Sequence, residues 1–129
     1  MGMKLDVIGI TVADMAEAIR FYRLLGIEVA EPAVGEDHVE AILSSGIRIA
    51  WDTLELMKQL DPEWVEPTGH RLGLAFLCED PAGVDAAYQG ILNAGFAGKK
   101  APWDAFWGQR YAQVKDPDGN VVDLFAPLG

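Results

Sequence analysis

The chain has 129 residues, half of them apolar, which is the size and composition of one ordinary globular domain. Its formal net charge of -10, with no Lys/Arg cluster, excludes a phosphate-binding nucleic-acid surface. No apolar run approaches the roughly 20 residues of a membrane span, no signal-peptide pattern opens the chain, and the single cysteine, Cys78, excludes an internal disulfide. The expectation is a cytoplasmic protein without nucleic-acid or membrane partners.

In LDVIGITVAD, Ile8, Ile10 and Val12 alternate with Val7, Gly9 and Thr11, so a strand is expected. Asp14 then stands as a helix N-cap with Glu17 at the capping-box position. Met15, Ala18, Ile19, Tyr22 and Leu25 form a helical stripe that Gly26 ends. Short strands are expected at about Ile27–Ala30, Val39–Leu43 and Ile47–Trp51. DTLELMKQLDPEWVEPTG follows, helical at first and then a Pro-rich linker.

The second half repeats this grammar. HRLGLAFLCED reads as a strand, Asp80 as an N-cap, and Pro81 as the first helical residue. Val84, Ala87, Tyr88, Ile91 and Leu92 make the stripe, and Gly95 stops it. Strands are expected near Phe96–Ala97, Arg110–Lys115 and Asn120–Ala126, with APWDAFWGQRY as a loop. Sliding the halves by 66 residues superposes Val7 on Gly73, Ile10 on Phe76 and Asp14 on Asp80. Residues 1–129 thus read as one domain of two β-α-β-β-β modules, about 4–52 and 70–127, with a linker at about 53–69.

This repeat, with FYRLLG early and DPDGN-x-x-D-L-F late, resembles the vicinal oxygen chelate superfamily of glyoxalases, extradiol dioxygenases and bleomycin-resistance proteins. Trp107-Gly108-Gln109-Arg110 is similar to its metal-free, drug-binding side. The resemblance implies an α+β fold in which the modules form a cupped mixed sheet with helices on the outer face. It also implies a homodimer. Family enzymes hold a divalent metal through the first and last strands of each module. The matching positions here are Val7, Ala50, Gly73 and Asp123, of which only Asp123 is a donor. A catalytic metal normally needs about three protein ligands. His38 and His70, the chain's two histidines, fall outside the pattern, so no cofactor and no metal are expected.

Strand parity anchored on those positions turns Val7, Gly9, Thr11, Ala75 and Leu77 into the cup and places Cys78 in the helix-facing core as an inert small hydrophobe. Arg48, Ala50 and Asp52 share one face, and Val121, Asp123 and Phe125 another. Asp123 reads as the remnant of a ligand position. It either pairs with Arg48, binds an amine-bearing ligand, or is merely solvated. Trp103, Phe106, Trp107 and Tyr111 either close over a planar or cationic ligand or pack an interface. The candidate ligand-binding residues are therefore Arg48, Asp52, Trp103, Phe106, Trp107, Tyr111, Asp123 and Phe125. Glu36-Asp37-His38 reads as a solvated turn, with acid/base machinery as its alternative. The expected function is sequestration of an antibiotic or other small molecule, favoured over a metal-dependent lyase, isomerase or dioxygenase and over a metal-free acid/base enzyme.

Overall fold

Each βα junction begins with the same local device. Asp14 accepts the Glu17 amide at 3.2 Å and Asp80 accepts the Gly83 amide at 2.7 Å, each starting a helix directly after a strand. The computed structural model describes residues 2–69 and 72–129. His70 lies outside the described residues. The chain divides into two compact units, Met1–Glu66 and Pro67–Gly129. Among the described residues seven strands fall in two mixed sheets, one per unit, accompanied by three helices. The fold is α+β.

In the first unit, β1 (Val7–Val12) runs parallel to β3 (Arg48–Thr53), and β2 (His38–Ile42) pairs antiparallel to β3 on its other side. Helix α1 (Met15–Leu24) buries Met15, Ala18, Ile19, Phe21 and Tyr22. Tyr22 meets the fully buried Trp51 of β3 at 5.7 Å between ring centroids. Phe21, outside the expected stripe, is also fully buried and stands edge-on to Tyr22 at 5.0 Å. Thr53 caps α2 (Leu54–Leu60) by accepting the Leu56 amide, and its hydroxyl donates to Asp37 at 2.9 Å.

The strand expected at Ile27–Ala30 is not formed. The Ile27 amide instead closes back on the Tyr22 carbonyl, and the Val29 carbonyl takes two donors from Arg23, Nε at 3.0 Å and Nη2 at 2.7 Å. A guanidinium has satisfied the carbonyl that a strand ladder would have used. The first unit is therefore β-α-β-β with an appended helix, whereas the second keeps the full β-α-β-β-β order.

In that second unit the sheet order is β4-β7-β6-β5. β4 (Leu74–Leu77) is parallel to β7 (Val121–Pro127), while β6 (Gln109–Lys115) is antiparallel to both β7 and β5 (Ala97–Ala105). Helix α3 (Pro81–Asn93) packs against β5, β6 and β7 with Val84 and Ile91 fully enclosed. Beneath it lie Ala112, Val114, Val122, Leu124 and Ala126, the alternate residues of β6 and β7. The segment read as a loop is a hairpin. Trp103 sits in β5, and only Phe106, Trp107 and Gly108 turn. Two register shifts in β5 break the simple alternation, and Pro102 is tolerated because β5 is an edge strand. Gly98 is required by close approach: a Cβ there would lie 2.3 Å from the Tyr88 hydroxyl.

The stretch KDPDGN ahead of β7 is organised by one buried carboxylate. Asp116 accepts the amides of Asp118 (2.9 Å) and Asn120 (2.8 Å) and the Asn120 side-chain amide (2.8 Å). Gly119 takes the positive φ of 87° that closes the turn. This turn sets where β7 begins, and so which face Asp123 occupies.

Candidate functional site

Each sheet has one face against its core and one face that is not, and period-2 alternation assigns the side chains. In the second sheet the non-core face is ordered by register into cross-strand rows. One row runs Leu77, Phe125, Tyr111, Trp103, with each neighbour paired across the ladder. The next runs Ala75, Asp123, Gln113, Lys100.

The aromatic row is in contact along its length. Phe125 stacks on Tyr111 at 6.2 Å with a 30° interplanar angle. Tyr111 meets Trp103 at 5.5 Å and Trp107 at 5.3 Å, both edge-to-face, and the two tryptophans meet at 6.1 Å. These are favourable quadrupole geometries. Gln109 accepts the Trp107 indole N–H at 2.8 Å, which fixes that ring although it is 49% exposed. Lys100 Nζ lies 3.8 Å above the Trp103 ring, a cation–π contact. Phe106, at the hairpin tip, is 97% exposed and touches only the edge of this cluster through Trp107.

Asp123 sits beside the row with both carboxylate oxygens engaged. It accepts the Tyr111 hydroxyl at 2.6 Å and the Gln113 side-chain amide at 3.1 Å. Burial, then the hydrogen bond to the Asp123 carboxylate, pushes the Tyr111 phenol up to about 12, so it remains a donor at neutral pH.

In the first sheet the rows are Thr11–Asp52–His38, Gly9–Ala50–Glu40 and Val7–Arg48–Ile42. The charged members form a continuous chain. His38 Nδ1 bonds Asp52 and its Nε2 bonds Glu40 at 2.7 Å. Arg48 Nη1 reaches the other Glu40 oxygen at 2.6 Å, and Nη2 reaches Asp6 at 2.7 Å. Asp52 first, then Glu40, raises His38 above its ordinary 6.5, and His38 and Arg48 lower Glu40.

These contacts sort the expected site residues. Trp103, Trp107, Tyr111, Asp123 and Phe125 come together on one face, while Arg48 and Asp52 belong to the charge chain of the first sheet. Within its own unit Arg48 bonds Asp6 and Glu40, and within its own unit Asp123 accepts from Tyr111 and Gln113. His38, read as part of a turn, opens β2 and stands at the centre of the chain. Its partners lie 2 and 14 positions away, and only sheet pairing brings the second one near. Gln113 and Glu40 were missed. Their alternate positions on one strand face were the available signal. The Cys78 thiol is pushed up chiefly by burial, and its backbone N–H bonds the Phe125 carbonyl, a structural role.

The model of the Glyoxalase/Bleomycin resistance protein/Dioxygenase superfamily matches residues 4–124. The chain belongs to this superfamily. No curated protein matches it. Among solved structures, a family enzyme from Burkholderia phytofirmans PsJN has a TM-score of 0.83 at 20% identity, covering 98% of this chain and 100% of that one. A glyoxalase-related enzyme from Fulvimarina pelagi has a TM-score of 0.83 at 17% identity, covering 95% and 87%. A lactoylglutathione lyase from Agrobacterium tumefaciens has a TM-score of 0.68 at 16% identity, covering 95% and 92%. At these identities the likeness establishes the fold.

The residues at the superfamily's metal positions do not fit a divalent ion. Val7 and Ala50 have no side-chain donor atom and Gly73 has no side chain, which leaves the Asp123 carboxylate as one donor where a catalytic metal normally needs about three. Among the described residues no group of three or more His, Cys, Asp or Glu is arranged to hold a metal. None of the described helices is long and apolar enough to cross a membrane.

Proposed function

We propose that this superfamily member is a metal-free binding protein that takes a small, planar, amine-bearing or cationic organic molecule on the open face of its second sheet. The carrying observation is the contiguous row Leu77–Phe125–Tyr111–Trp103 with Asp123 beside it. The row offers flat apolar surface, including a Leu77 that is 68% exposed. Burying about 300 Å² of apolar ligand there at ~25 cal/mol/Å² yields several kcal/mol before association costs.

Asp123 supplies orientation. Its two donors, Tyr111 and Gln113, hold the carboxylate in place, while each oxygen keeps a further lone pair for an ammonium. Sequestration of a natural product or antibiotic requires no chemistry beyond this.

Tryptophan fluorescence titration with acriflavine, a planar cation, tests the proposal. Saturable quenching is expected, weakened about tenfold or more in Trp103→Ala and in Asp123→Asn. Equal titrations in wild type and both variants would refute it. Incubation with zinc, nickel, manganese or ferrous iron followed by desalting should leave no stoichiometric metal. Retention that Asp123→Ala abolishes would overturn the metal-free part.

A further inference from the structure

We propose that His38 and Asp52 form a proton-transfer dyad on the open face of the first sheet, with Glu40 as a displaceable cover over the reactive nitrogen. The site is separate from the aromatic row and does not rest on the binding reading above. Its substrate class is a small organic molecule with a weakly acidic C–H or O–H.

The geometry has the three parts a histidine base requires. Asp52 is the holder. Its side chain is only 16% exposed, it lies directly across the ladder from His38, and it accepts from Nδ1. A carboxylate on Nδ1 fixes the tautomer that leaves the lone pair on Nε2. His38 is the base. It is 47% exposed, and Nε2 points along the open face toward Glu40 rather than into the core. Glu40 is the cover, and Arg48 gives it a place to go.

That last point follows from protonation. With the imidazolium, Nε2–H donates to Glu40 at 2.7 Å and the contact is attractive. With neutral imidazole, the Nε2 lone pair faces a carboxylate and the contact becomes repulsive. Arg48 Nη1 already holds the other Glu40 oxygen at 2.6 Å, so Glu40 can turn onto the guanidinium without losing its charge partner. Uncovering Nε2 is thereby coupled to deprotonating His38. The charged groups that set this balance are Asp52 from β3, Glu40 from β2, Arg48 from β3, and Asp6 ahead of β1. Beside Asp52, β1 presents only Thr11. Asp52 first, then Glu40, raises His38 above its ordinary 6.5, which strengthens Nε2 as a base.

The test is the base-catalysed ring opening of 5-nitrobenzisoxazole, followed by absorbance of the product. Nε2 takes the proton on carbon, the C–H electron pair becomes part of the nitrile, and the N–O pair leaves as phenoxide, so the step balances without a co-reactant. The wild-type rate is expected to rise with pH through an inflection above 6.5 and to fall about tenfold or more in His38→Gln. Asp52→Asn should lower both the rate and the inflection, since the main cause of the raised pKa is removed. Glu40→Gln should lower the inflection by less than Asp52→Asn does, because Glu40 is the second cause of the raised pKa. Circular dichroism of the folded variants separates these effects from unfolding. A wild-type rate equal to that of His38→Gln would overturn the proposal. So would a Glu40→Gln variant with an unchanged inflection, or an Asp52→Asn variant with unchanged rate and inflection.

Discussion

The two sheets are built on one local grammar and end with opposite open faces. In each, a parallel pair joins the first strand to the last, an Asp caps the following helix, and alternate residues enter a core. The first sheet's other face carries alternating charges from Asp52 to Asp6, and the second carries a row of rings around one carboxylate. What the fold demands is confined to the core-facing parity. The remaining parity is free, and there the two units have diverged into a charge chain and an aromatic platform. The carboxylates beside His38 favour its charged form, whereas burial and then Asp123 favour the neutral form of Tyr111.

Substitutions on the core-facing parity should erase this difference, and they carry the largest effects. Trp51→Ala in the first sheet and Leu124→Ala in the second each empty a fully enclosed position. Losses of about 3–5 and 2–5 kcal/mol are expected, read from urea unfolding midpoints. Gly98→Ala is next. The new methyl collides with Tyr88, and a loss of about 1–3 kcal/mol is expected, eased only in part by Tyr88→Phe, because the ring carbon would still lie 2.9 Å away.

Open-face substitutions should then separate the units. Asp123→Ala leaves the Tyr111 hydroxyl and the Gln113 amide without their acceptor, a cost of about 1–3 kcal/mol. Its sharper signature is spectroscopic: tyrosinate absorbance for Tyr111 should appear at lower pH than the wild-type value of about 12. Since the folded pKa is raised, this interaction stabilises fully below the ordinary 10 and is lost as pH rises toward 12.

The smallest effect belongs to the first face. His38 is also raised by folding, so its contribution is complete below 6.5 and fades as pH rises through its folded pKa. A slight fall in thermal midpoint as pH rises above about 6.5 is expected, absent in His38→Gln. Exposed pairs of this kind are worth little, and salt should flatten the slope.

Much of this architecture was legible from short-range patterns. The capping aspartates and the DPDGN turn depend on residues within about four positions and formed as read, while the first helical stripe gained Phe21 and left Leu25 at the C-cap. Two segments misled for identifiable reasons. Ile27–Ala30 has strand-forming residues, yet Arg23 on the preceding helix captured its carbonyl. The span APWDAFWGQRY looked irregular because a register shift between Lys100 and Trp103 falls at its start, although it pairs as a hairpin through Trp103 and Tyr111.

The same division holds for the sites. By itself the sequence determined the superfamily, the loss of donors at Val7, Ala50 and Gly73, and the concentration of rings between Trp103 and Tyr111. Composition and local pattern are sufficient for those. Only the tertiary structure decided that Asp123 belongs to Tyr111 and Gln113, that Arg48 belongs to Glu40, and that His38 faces Asp52. Those partnerships depend on strand register. A shift of one residue would turn every one of these side chains to the opposite face.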